Sequence, residues 1–408
     1  MVKKYNVIDL FAGCGGLMEG FENEGSFRTI ACVEWESAPC ETLIERLKNR
    51  YKHKNADSEV VRFDIQRTKE LFAGYDDPEY GKNKGLDSLI KHRNVDIIIG
   101  GPPCQAYSLA GRIRDKDGMK NDYRNYLFES YVEVVSHYKP KFFVFENVQG
   151  MLSAAPDGEL ITSKITKAFQ NIGYRITSDF KNALFDVADF GIPQHRKRII
   201  ILGVREALFS VDICESILEE FYTKLMPAYK SEQTTVKEAI GDLPALYPLD
   251  EVVRSEGKRY SHSPIETNVS NHIPRFHNER DIKVFKMLAE DIKSGKNEYA
   301  GIDKLRELYT EVTGRESNIH KFYVLRSDEP SNTIPAHLYK DGLRHIHPDP
   351  EQARSITVRE AARLQTFPDD FFFLGGMTSQ YKMIGNAVPP MFAGIVAKCL
   401  KCIIKKYQ

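Results

Sequence analysis

Five short apolar segments in the first two hundred residues alternate with amphipathic stretches. The apolar segments are YNVIDLF (5–11), RTIACVE (28–34), NVDIIIG (94–100), KFFVFEN (141–147) and RIIILGV (198–204). Nearly continuous apolar character is typical of parallel strands that are covered on both faces. Two of the stretches between them, 39–51 and 125–138, carry apolar residues at helical spacing. The alternation predicts repeated βα units and therefore an α/β sheet domain.

After about residue 205 this alternation fades. Between 228 and 280 charged residues mix with Ser, Asn, His and Pro, which indicates a second, smaller domain. The end of the chain is apolar and helix-like, with lysines in its last turns, where cations favour the helix dipole. We expect this helix to return to the first domain. The predicted division is 1–204 plus 378–408 for the first domain and 205–377 for the second.

Composition narrows the class of protein. The 408 residues are 42% hydrophobic, and Lys plus Arg number 57 against 57 for Asp plus Glu, so a nucleic acid must bind to a local patch. Seven scattered cysteines argue against a disulfide framework, and the lone CxxC at 399–402 lacks a second ligand pair for zinc. With neither a secretion signal nor an apolar run of membrane length, we expect a cytoplasmic protein without membrane contact.

The first candidate site is a Gly-rich turn after the first predicted strand, DLFAGCGGLMEGF (9–21). Gly13 and Gly15 permit positive φ and close approach of a ligand at the carboxyl edge of the sheet. The spacing is GxGG rather than GxGxxG, which weakens the case for a diphosphate cradle. Glu34 ends the next strand, where an acid can bind ribose hydroxyls, and Trp35 offers a ring for adenine. The pair predicts an adenosine ligand, with simple tight packing of the turn as the alternative.

Three further motifs carry candidate chemistry. Cys104 lies in GGPPCQAYS (100–108) at the carboxyl end of a predicted strand, where ligands bind, although a buried cysteine is often only a small apolar filler. Glu146, in FENVQG, follows another strand and is aimed at the same crevice; a surface glutamate is the alternative. In QHRKRIIILG, strand alternation places Arg196 and Arg198 on one face, and a solvated basic strand start is the alternative.

Taken in order, these motifs resemble those of the cytosine-5 DNA methyltransferases. The series comprises DLFAGCGG, VEW, RFDI (62–65), GGPPCQAYS, ENV, QHRKR, TVREAARLQTFPDDF (357–371) and IGNAVPP (384–390). A cysteine after the two prolines, where amino-methylating relatives have an aromatic residue, indicates carbon 5 as the target atom. The resemblance implies an α/β, Rossmann-like S-adenosylmethionine-dependent methyltransferase sheet with a smaller target-recognition domain.

The resemblance also implies a role for each catalytic residue. Cys104 would attack carbon 6 of the cytosine, which makes carbon 5 nucleophilic. Glu146 would contact ring N3 and the exocyclic amine, and Arg198 the O2 side. Arg196 would support the Cys104 loop or a nearby phosphate. The base that removes the carbon 5 proton is not identified by the sequence.

S-adenosylmethionine is the implied cofactor, with S-adenosylhomocysteine as product, and no metal is expected. The residues matched to the cofactor site are Phe11, Gly13, Gly15, Glu34, Trp35, Asp64, Ile65, Pro102, Leu127, Asn386 and Val388. Those matched to DNA contacts are Gln105, Ser108, Arg112, Arg124 and Thr333. The segment 105–128 resembles the family's mobile catalytic loop, and its five cations and three anions between 112 and 124 suit phosphate contacts, with a solvated surface loop as the alternative. An ordinary turn threonine is the alternative for Thr333.

The function implied is methylation of a flipped-out cytosine in a specific duplex DNA sequence. We expect a monomer in the bacterial cytoplasm, at the nucleoid, that protects host DNA and is paired with a restriction endonuclease of the same site. Three other readings stay open: methylation of tRNA, a non-catalytic DNA-binding homologue, and a dinucleotide oxidoreductase. The missing GxGxxG disfavours the last of these.

Overall fold

The chain folds into two compact units. The structure is a computed structural model that describes residues 4–103, 127–155, 158–264, 268–317, 321–340 and 342–407. The first unit comprises 1–190, 197–231 and 387–408, and the second comprises 191–196 and 232–386. Relative to the predicted boundaries, 205–231 lies in the first unit, whereas 191–196 and 378–386 lie in the second. The hydroxyl of Tyr222 explains the first difference, because it hydrogen-bonds the backbone of a sheet strand at Ile200 and Leu202.

The described residues contain twelve strands. They are β1 (Tyr5–Leu10), β2 (Phe27–Glu34), β3 (Val60–Arg62), β4 (Tyr75–Asp77), β5 (Gly81–Asn83), β6 (Ile97–Gly100), β7 (Phe142–Val148), β8 (Tyr174–Arg175), β9 (Leu184–Asp186), β10 (Lys197–Arg205), β11 (Tyr247–Ser255) and β12 (Lys258–Ser263). β4 pairs with β5, and β11 with β12, as two separate two-stranded sheets.

The main sheet belongs to the first unit and has the order β3-β2-β1-β6-β7-β10-β8, with β9 also paired to β10. The strands from β3 to β7 are parallel, and β10 runs antiparallel to its three neighbours. Following the chain, β2 and β3 are added on one side of β1, and β6, β7 and β10 are then added on the other side. The predicted α/β, Rossmann-like sheet is therefore confirmed, with an antiparallel edge that the apolar pattern alone did not reveal.

Helices follow most strands of the sheet and also occur in the second unit. In the described residues they are α1 (Gly16–Glu24), α2 (Ser37–Asn49), α3 (Ala56–Glu59), α4 (Thr68–Ala73), α5 (Gly85–Ile90), α6 (Leu127–Tyr138), α7 (Ile161–Asn171), α8 (Val211–Glu220), α9 (Val236–Ile240), α10 (Glu279–Ser294), α11 (Ile302–Thr313), α12 (Val358–Leu364), α13 (Met377–Asn386) and α14 (Pro390–Tyr407). Shorter helical turns lie at Gln149–Ser153, Val187–Asp189, Phe221–Leu225, Pro227–Tyr229 and Ala336–Tyr339.

Helix α14 packs against α1 within the first unit, and the two backbones approach closely at glycines. A Cβ atom on Gly20 would lie 2.4 Å from the backbone nitrogen of Gly394 and 2.5 Å from Cβ of Ala393. The segment Met377–Tyr407 is long and apolar enough to cross a membrane by composition, contrary to our expectation, but 67% of its most apolar window is buried inside the protein. A buried core helix passes the same compositional test.

A buried ion pair organises the second unit. The guanidinium of Arg354 donates to both carboxylate oxygens of Glu360 at 2.7 and 2.6 Å, and both residues are at most 1% exposed. Burial alone would raise the pKa of Glu360, but Arg354 outweighs it and holds that pKa well below the ordinary value. Glu360 and Thr357 also form a capping box at the start of α12. The pair therefore fixes the first turn of α12.

We predict that Gly20→Ala destabilises the protein by about 2 kcal/mol, because the added methyl group has no space between α1 and α14. Gly394→Ala is the matched control in the same contact, since its Cβ would meet no atom closer than 3.6 Å. Alanine is also favoured in helices, so this variant should be neutral or more stable. Urea unfolding of both variants measures the difference. Equal stability of the two variants would contradict the packing described.

We also predict an acid-linked change at His262, which is buried and hydrogen-bonded to Ser261 and to the carbonyl of Gln352. Burial, aided by the charge of Arg354, lowers the pKa of His262 to about 4. In the unfolded chain His262 binds a proton below about pH 6.5, whereas in the folded chain it does so only near pH 4. The free energy of unfolding therefore decreases as the pH falls from about 6.5 towards 4. Replacing the histidine removes this loss.

The measurement compares the unfolding free energy of His262→Gln with wild type at pH 7.5 and pH 5.0. The cost of the substitution should shrink by about 2 kcal/mol at the lower pH, since one pKa unit corresponds to about 1.4 kcal/mol. His92→Gln, at an exposed position, is the control for the loss of a histidine in general. A pH-independent cost at His262 would refute the assignment.

Candidate active site

The candidate site is built where the strands of the first unit end. The parallel strands β1, β2, β3, β6 and β7 all finish at one edge of the sheet, and antiparallel β10 begins there. The order of strands reverses between β1 and β6, so the loops that follow these two strands leave in opposite directions and open a crevice. The candidate residues of the sequence lie along this edge.

The loop after β1 is held in an unusual backbone conformation. Phe11 has a φ of +54°, which is uncommon for a bulky residue, and Gly13 and Gly15 have φ of +54° and +92°. Gly15 is the N-cap of α1. Strained backbone of this kind concentrates at ligand sites, because the surrounding structure must hold it in place. Both glycines of the turn thus adopt positive φ at the carboxyl edge of the sheet.

Glu34 connects this turn to the end of β2. One carboxylate oxygen accepts the Gly13 N–H at 2.8 Å, and the other accepts the N–H groups of Trp35 and Glu36 at 2.8 and 2.9 Å. Burial raises the pKa of Glu34, and these backbone donors oppose the rise. The oxygen that accepts from Gly13 keeps one lone pair for a further hydroxyl donor, whereas the other oxygen already accepts two N–H groups. Trp35, in contrast, is 51% exposed, so its ring is available for stacking.

The segment after β3 lies beside these two residues. The N–H of Phe63 donates to the carbonyl of Glu34 at 3.0 Å, and Arg62 donates to the carbonyl of Trp35 at 3.2 Å. Asp64 accepts the Gln66 N–H and so shapes a turn at the strand end, and Ile65 is buried. The structure therefore brings Asp64 and Ile65 to the same edge as Glu34 and Trp35.

The carboxylate of Glu146 lies against the segment that leads to Cys104. A Cβ atom on Gly101 would lie 2.4 Å from the Glu146 Oε2, so a larger residue here would displace this carboxylate. Pro102 is buried next to it, and Pro103 is the last described residue before Cys104. Gly101 was not singled out by the sequence analysis, although its place between a strand and two prolines was the available signal.

Arg198 is paired with Glu146. Its Nε lies 2.7 Å from the Glu146 Oε1, and both side chains are only about an eighth exposed, at 13% and 12%. Burial lowers the pKa of Arg198, whereas the carboxylate opposes that change. The ladder between β10 and β7 places Arg198 opposite Val148 and Ile200 opposite Glu146. The carboxylate of Glu146 and the guanidinium of Arg198 are thereby held together where β7 ends and β10 begins.

Arg196 belongs to the second unit and makes different contacts. It is 1% exposed, and its guanidinium donates to the carbonyls of Ile334 at 3.0 Å and Gly385 at 2.8 Å. Gln194, which the sequence analysis did not select, accepts the Ile334 N–H at 2.8 Å and is fully buried. The exposed Thr333 donates to the carbonyl of His195 at 2.6 Å. The segment 191–196 therefore shapes the backbone around Thr333.

The other predicted cofactor residues fall in both units. Asn386 is the exposed last residue of α13 in the second unit. Val388 is buried in the first unit, and a Cβ atom on Gly16 would lie 2.3 Å from its carbonyl oxygen, so Val388 lies directly at the Gly-rich turn. Leu127 is buried at the first position of α6.

Five predicted residues lie outside the described residues, so the structure does not place them: Cys104, Gln105, Ser108, Arg112 and Arg124. Among the residues that are described, no group of three or more His, Cys, Asp or Glu side chains is arranged to hold a metal ion. Within the CxxC, Cys399 is buried and Cys402 is exposed. The described residues of this edge include the carboxylates of Glu34, Asp64 and Glu146, the guanidinium of Arg198 and the exposed indole of Trp35.

Known proteins resemble this chain in sequence over nearly its whole length. The chain is 36% identical to the type II methyltransferase M.Bpa9945I of Bacillus paralicheniformis, over 98% of this chain and 100% of the relative. It is 32% identical to the type II methyltransferase M1.HphI of Haemophilus parahaemolyticus, over 96% and 86% of the two chains.

Solved structures agree with this likeness. A protein described as a prophage-encoded DNA modification methyltransferase of Escherichia coli matches with a TM-score of 0.60 and 26% identity, over 98% of this chain and 100% of that one. A methyltransferase of Entamoeba histolytica, 16% identical with a TM-score of 0.55, supports the fold alone. The family model of the C-5 cytosine-specific DNA methylases matches residues 5–402. With that match, and with a sheet edge that bears the family's motifs, this chain belongs to the C-5 cytosine-specific DNA methylase family and is a DNA (cytosine-5) methyltransferase.

Proposed function

We propose that this enzyme transfers a methyl group from S-adenosylmethionine to carbon 5 of a flipped-out cytosine in a specific duplex DNA sequence, through a covalent bond between Cys104 and carbon 6. The observation that carries the proposal is the position of the Glu146 carboxylate. It lies against Gly101, three residues before Cys104, and is paired with Arg198. This arrangement supports an acid, a nucleophile and a guanidinium acting on one small planar ring.

The residues at the Gly-rich turn fit S-adenosylmethionine, which when bound supplies an electrophilic methyl group. Gly13 and Gly15 would let its methionine end approach the backbone of the turn. One oxygen of the buried Glu34 keeps a lone pair for a ribose hydroxyl, and the exposed Trp35 ring suits stacking on adenine. Asp64 and Ile65 would border the adenine edge, with Phe11, Pro102, Leu127, Asn386 and Val388 completing the proposed site.

The chain's own residues would activate the cytosine in successive chemical steps. The Cys104 thiolate forms a bond to carbon 6, and the electrons of the C5–C6 double bond shift towards N3, which takes a hydrogen bond or proton from Glu146. Carbon 5 would then bond to the methyl group as the bond between that group and the sulfonium sulfur breaks, which releases S-adenosylhomocysteine, and a proton taken by N3 would return to Glu146. Removal of the carbon 5 proton by a base restores the double bond, and Cys104 leaves as thiolate. Arg198 would hold Glu146 and face the O2 side of the ring.

A cytosine inside a duplex cannot reach this crevice, so the target base must leave the stack, at a cost of a few kcal/mol. In this proposal Gln105, Ser108, Arg112, Arg124 and Thr333 contact the DNA around it. Arg196 supports the reaction by holding the backbone near Thr333, rather than by touching the base. The second unit is proposed as the target-recognition domain.

The biological context is proposed from the relatives. Two of them are named type II methyltransferases of bacteria. We infer that the enzyme protects bacterial DNA, in the cytoplasm and as a monomer, from a restriction endonuclease that cuts the same site.

Cys104→Ala should abolish methyl transfer and leave cofactor binding intact, because the enamine cannot form without addition at carbon 6. The test incubates a mixed-sequence duplex library with S-adenosylmethionine and reads methylated cytosines by bisulfite sequencing. Wild type should mark one short sequence. Cys402→Ser, which changes an exposed cysteine on α14, is the control and should retain activity.

Methylation of carbon 5 by Cys104→Ala would eliminate the covalent route. Incorporation of methyl groups into tRNA but not into duplex DNA by wild type would instead change the substrate and leave the chemistry in place.

Trp35 allows cofactor binding to be measured directly, because it is the only tryptophan of the chain. We predict that S-adenosylhomocysteine changes its fluorescence saturably as adenine stacks on the exposed ring. Glu34→Gln should weaken this binding about tenfold or more, since hydrogen bonds to a buried carboxylate are lost. Glu41→Gln, at an exposed position on α2, is the control. Fluorescence that does not respond, or equal affinities of the two variants, would reject this cofactor site.

A further inference from the structure

The hairpin of β11 and β12 stands apart from the other sheets of the described residues. Its two strands pair only with each other, and a register shift between Pro248 and Val253 separates a base from a distal half. At the tip, Glu256 and Gly257 have φ of +49° and +74°, as a tight two-residue hairpin turn requires. The distal half is therefore a regular two-stranded ribbon.

This ribbon exposes side chains that a hairpin would ordinarily bury. Val252 is 52% exposed and Val253 is 37% exposed, and residues 251–259 are exposed without interruption. An isolated two-stranded hairpin is marginally stable in water, so leaving its apolar residues uncovered has a cost. The ribbon is thus open to a partner on both of its faces.

The cations of the ribbon are concentrated at its tip, whereas the acids Asp250 and Glu251 of β11 lie nearer its base. Residues 253–260 carry three cations (Arg254, Lys258 and Arg259) and one anion (Glu256), a net charge of +2 from 3 − 1, in a chain whose net charge is +0. Arg254 and Arg259 lie directly opposite each other in the ladder. Like charges in this position are destabilising, and within the described residues neither arginine forms an ion pair.

The two arginines share one face of the ribbon, because side chains alternate along a strand. Val253, Ser255, Lys258 and Tyr260 point to the other face. The guanidinium of Arg259 lies 4.3 Å from the centre of the Phe276 ring, which restricts where it can point. One face of the tip thus offers two adjacent guanidinium groups, and the other face offers a single ammonium.

We propose that this hairpin enters the major groove of the substrate DNA, where Arg254 and Arg259 read base edges and Lys258 contacts a phosphate. The inference rests on the proposed function and names its recognition element. A major groove about 12 Å wide admits a two-stranded ribbon, whose strands lie about 4.8 Å apart. Guanidinium groups bind guanine O6 and N7 in pairs of hydrogen bonds. The deep, narrow major groove of an RNA helix would not admit such a ribbon, which favours DNA as the partner.

The test measures binding to two DNA duplexes with the full-length enzyme. One duplex contains the sequence that wild type methylates, and the other lacks it. Arg254→Gln and Arg259→Gln should each weaken binding to the first duplex by about tenfold, and binding to the second by much less. Lys258→Gln should weaken both to the same extent and reduce the salt dependence of binding.

Arg315→Gln is the matched control, since Arg315 is an exposed arginine of the same unit outside the hairpin, and its binding should not change. Equal losses on both duplexes for the arginine variants, or no loss, would overturn base reading by this face. All variants should keep the Trp35 fluorescence response to S-adenosylhomocysteine. If wild type neither methylates nor prefers any duplex, the proposed function is wrong. If wild type does both and the arginine variants bind the two duplexes as wild type does, only the assignment of the hairpin is wrong.

Discussion

The reversal of strand order between β1 and β6 is the constraint on which the rest of the first unit depends. A parallel sheet must bury both of its faces under crossover helices, and at a reversal the two neighbouring crossovers leave to opposite sides. The carboxyl ends of β1 and β6 therefore stay uncovered. The Gly-rich turn and the segment that carries Cys104 occupy these two ends, and the residues of β2, β3 and β7 extend the edge on either side.

A second consequence follows from the direction of β10. If β10 were parallel to β7, Arg198 at its start would lie at the far edge of the sheet from the candidate site. Because β10 is antiparallel, its first residues pair with the last residues of β7, and the guanidinium of Arg198 reaches the carboxylate of Glu146. Each of the two charges would be costly to bury alone, and their pairing reduces that cost. The antiparallel direction of β10 thus places a functional side chain at the candidate site.

Much of this was readable in the sequence because it depends on local patterns. The apolar runs predicted all the longer strands of the sheet, and glycine, Glu34 and Trp35 could be placed at strand ends by spacing alone. The exchange of segments between units could not be read, because 191–196 joins the second unit through contacts such as Gln194 with Ile334, far away in sequence. The close approach of Glu146 to Gly101 was hidden for the same reason. Short strands β8 and β9 carry too few residues for a periodic signal.

Helix α14 packs on α1, yet the whole of 232–386 lies between the first unit's two parts in sequence. During synthesis, the residues of the second unit leave the ribosome before the helix that covers α1 does. Domains generally fold as they emerge, in order from the N-terminus. The second unit can therefore close while the first still lacks its last helix. The face of α1 that α14 covers stays exposed during that interval, so its apolar residues remain open to contacts with other chains.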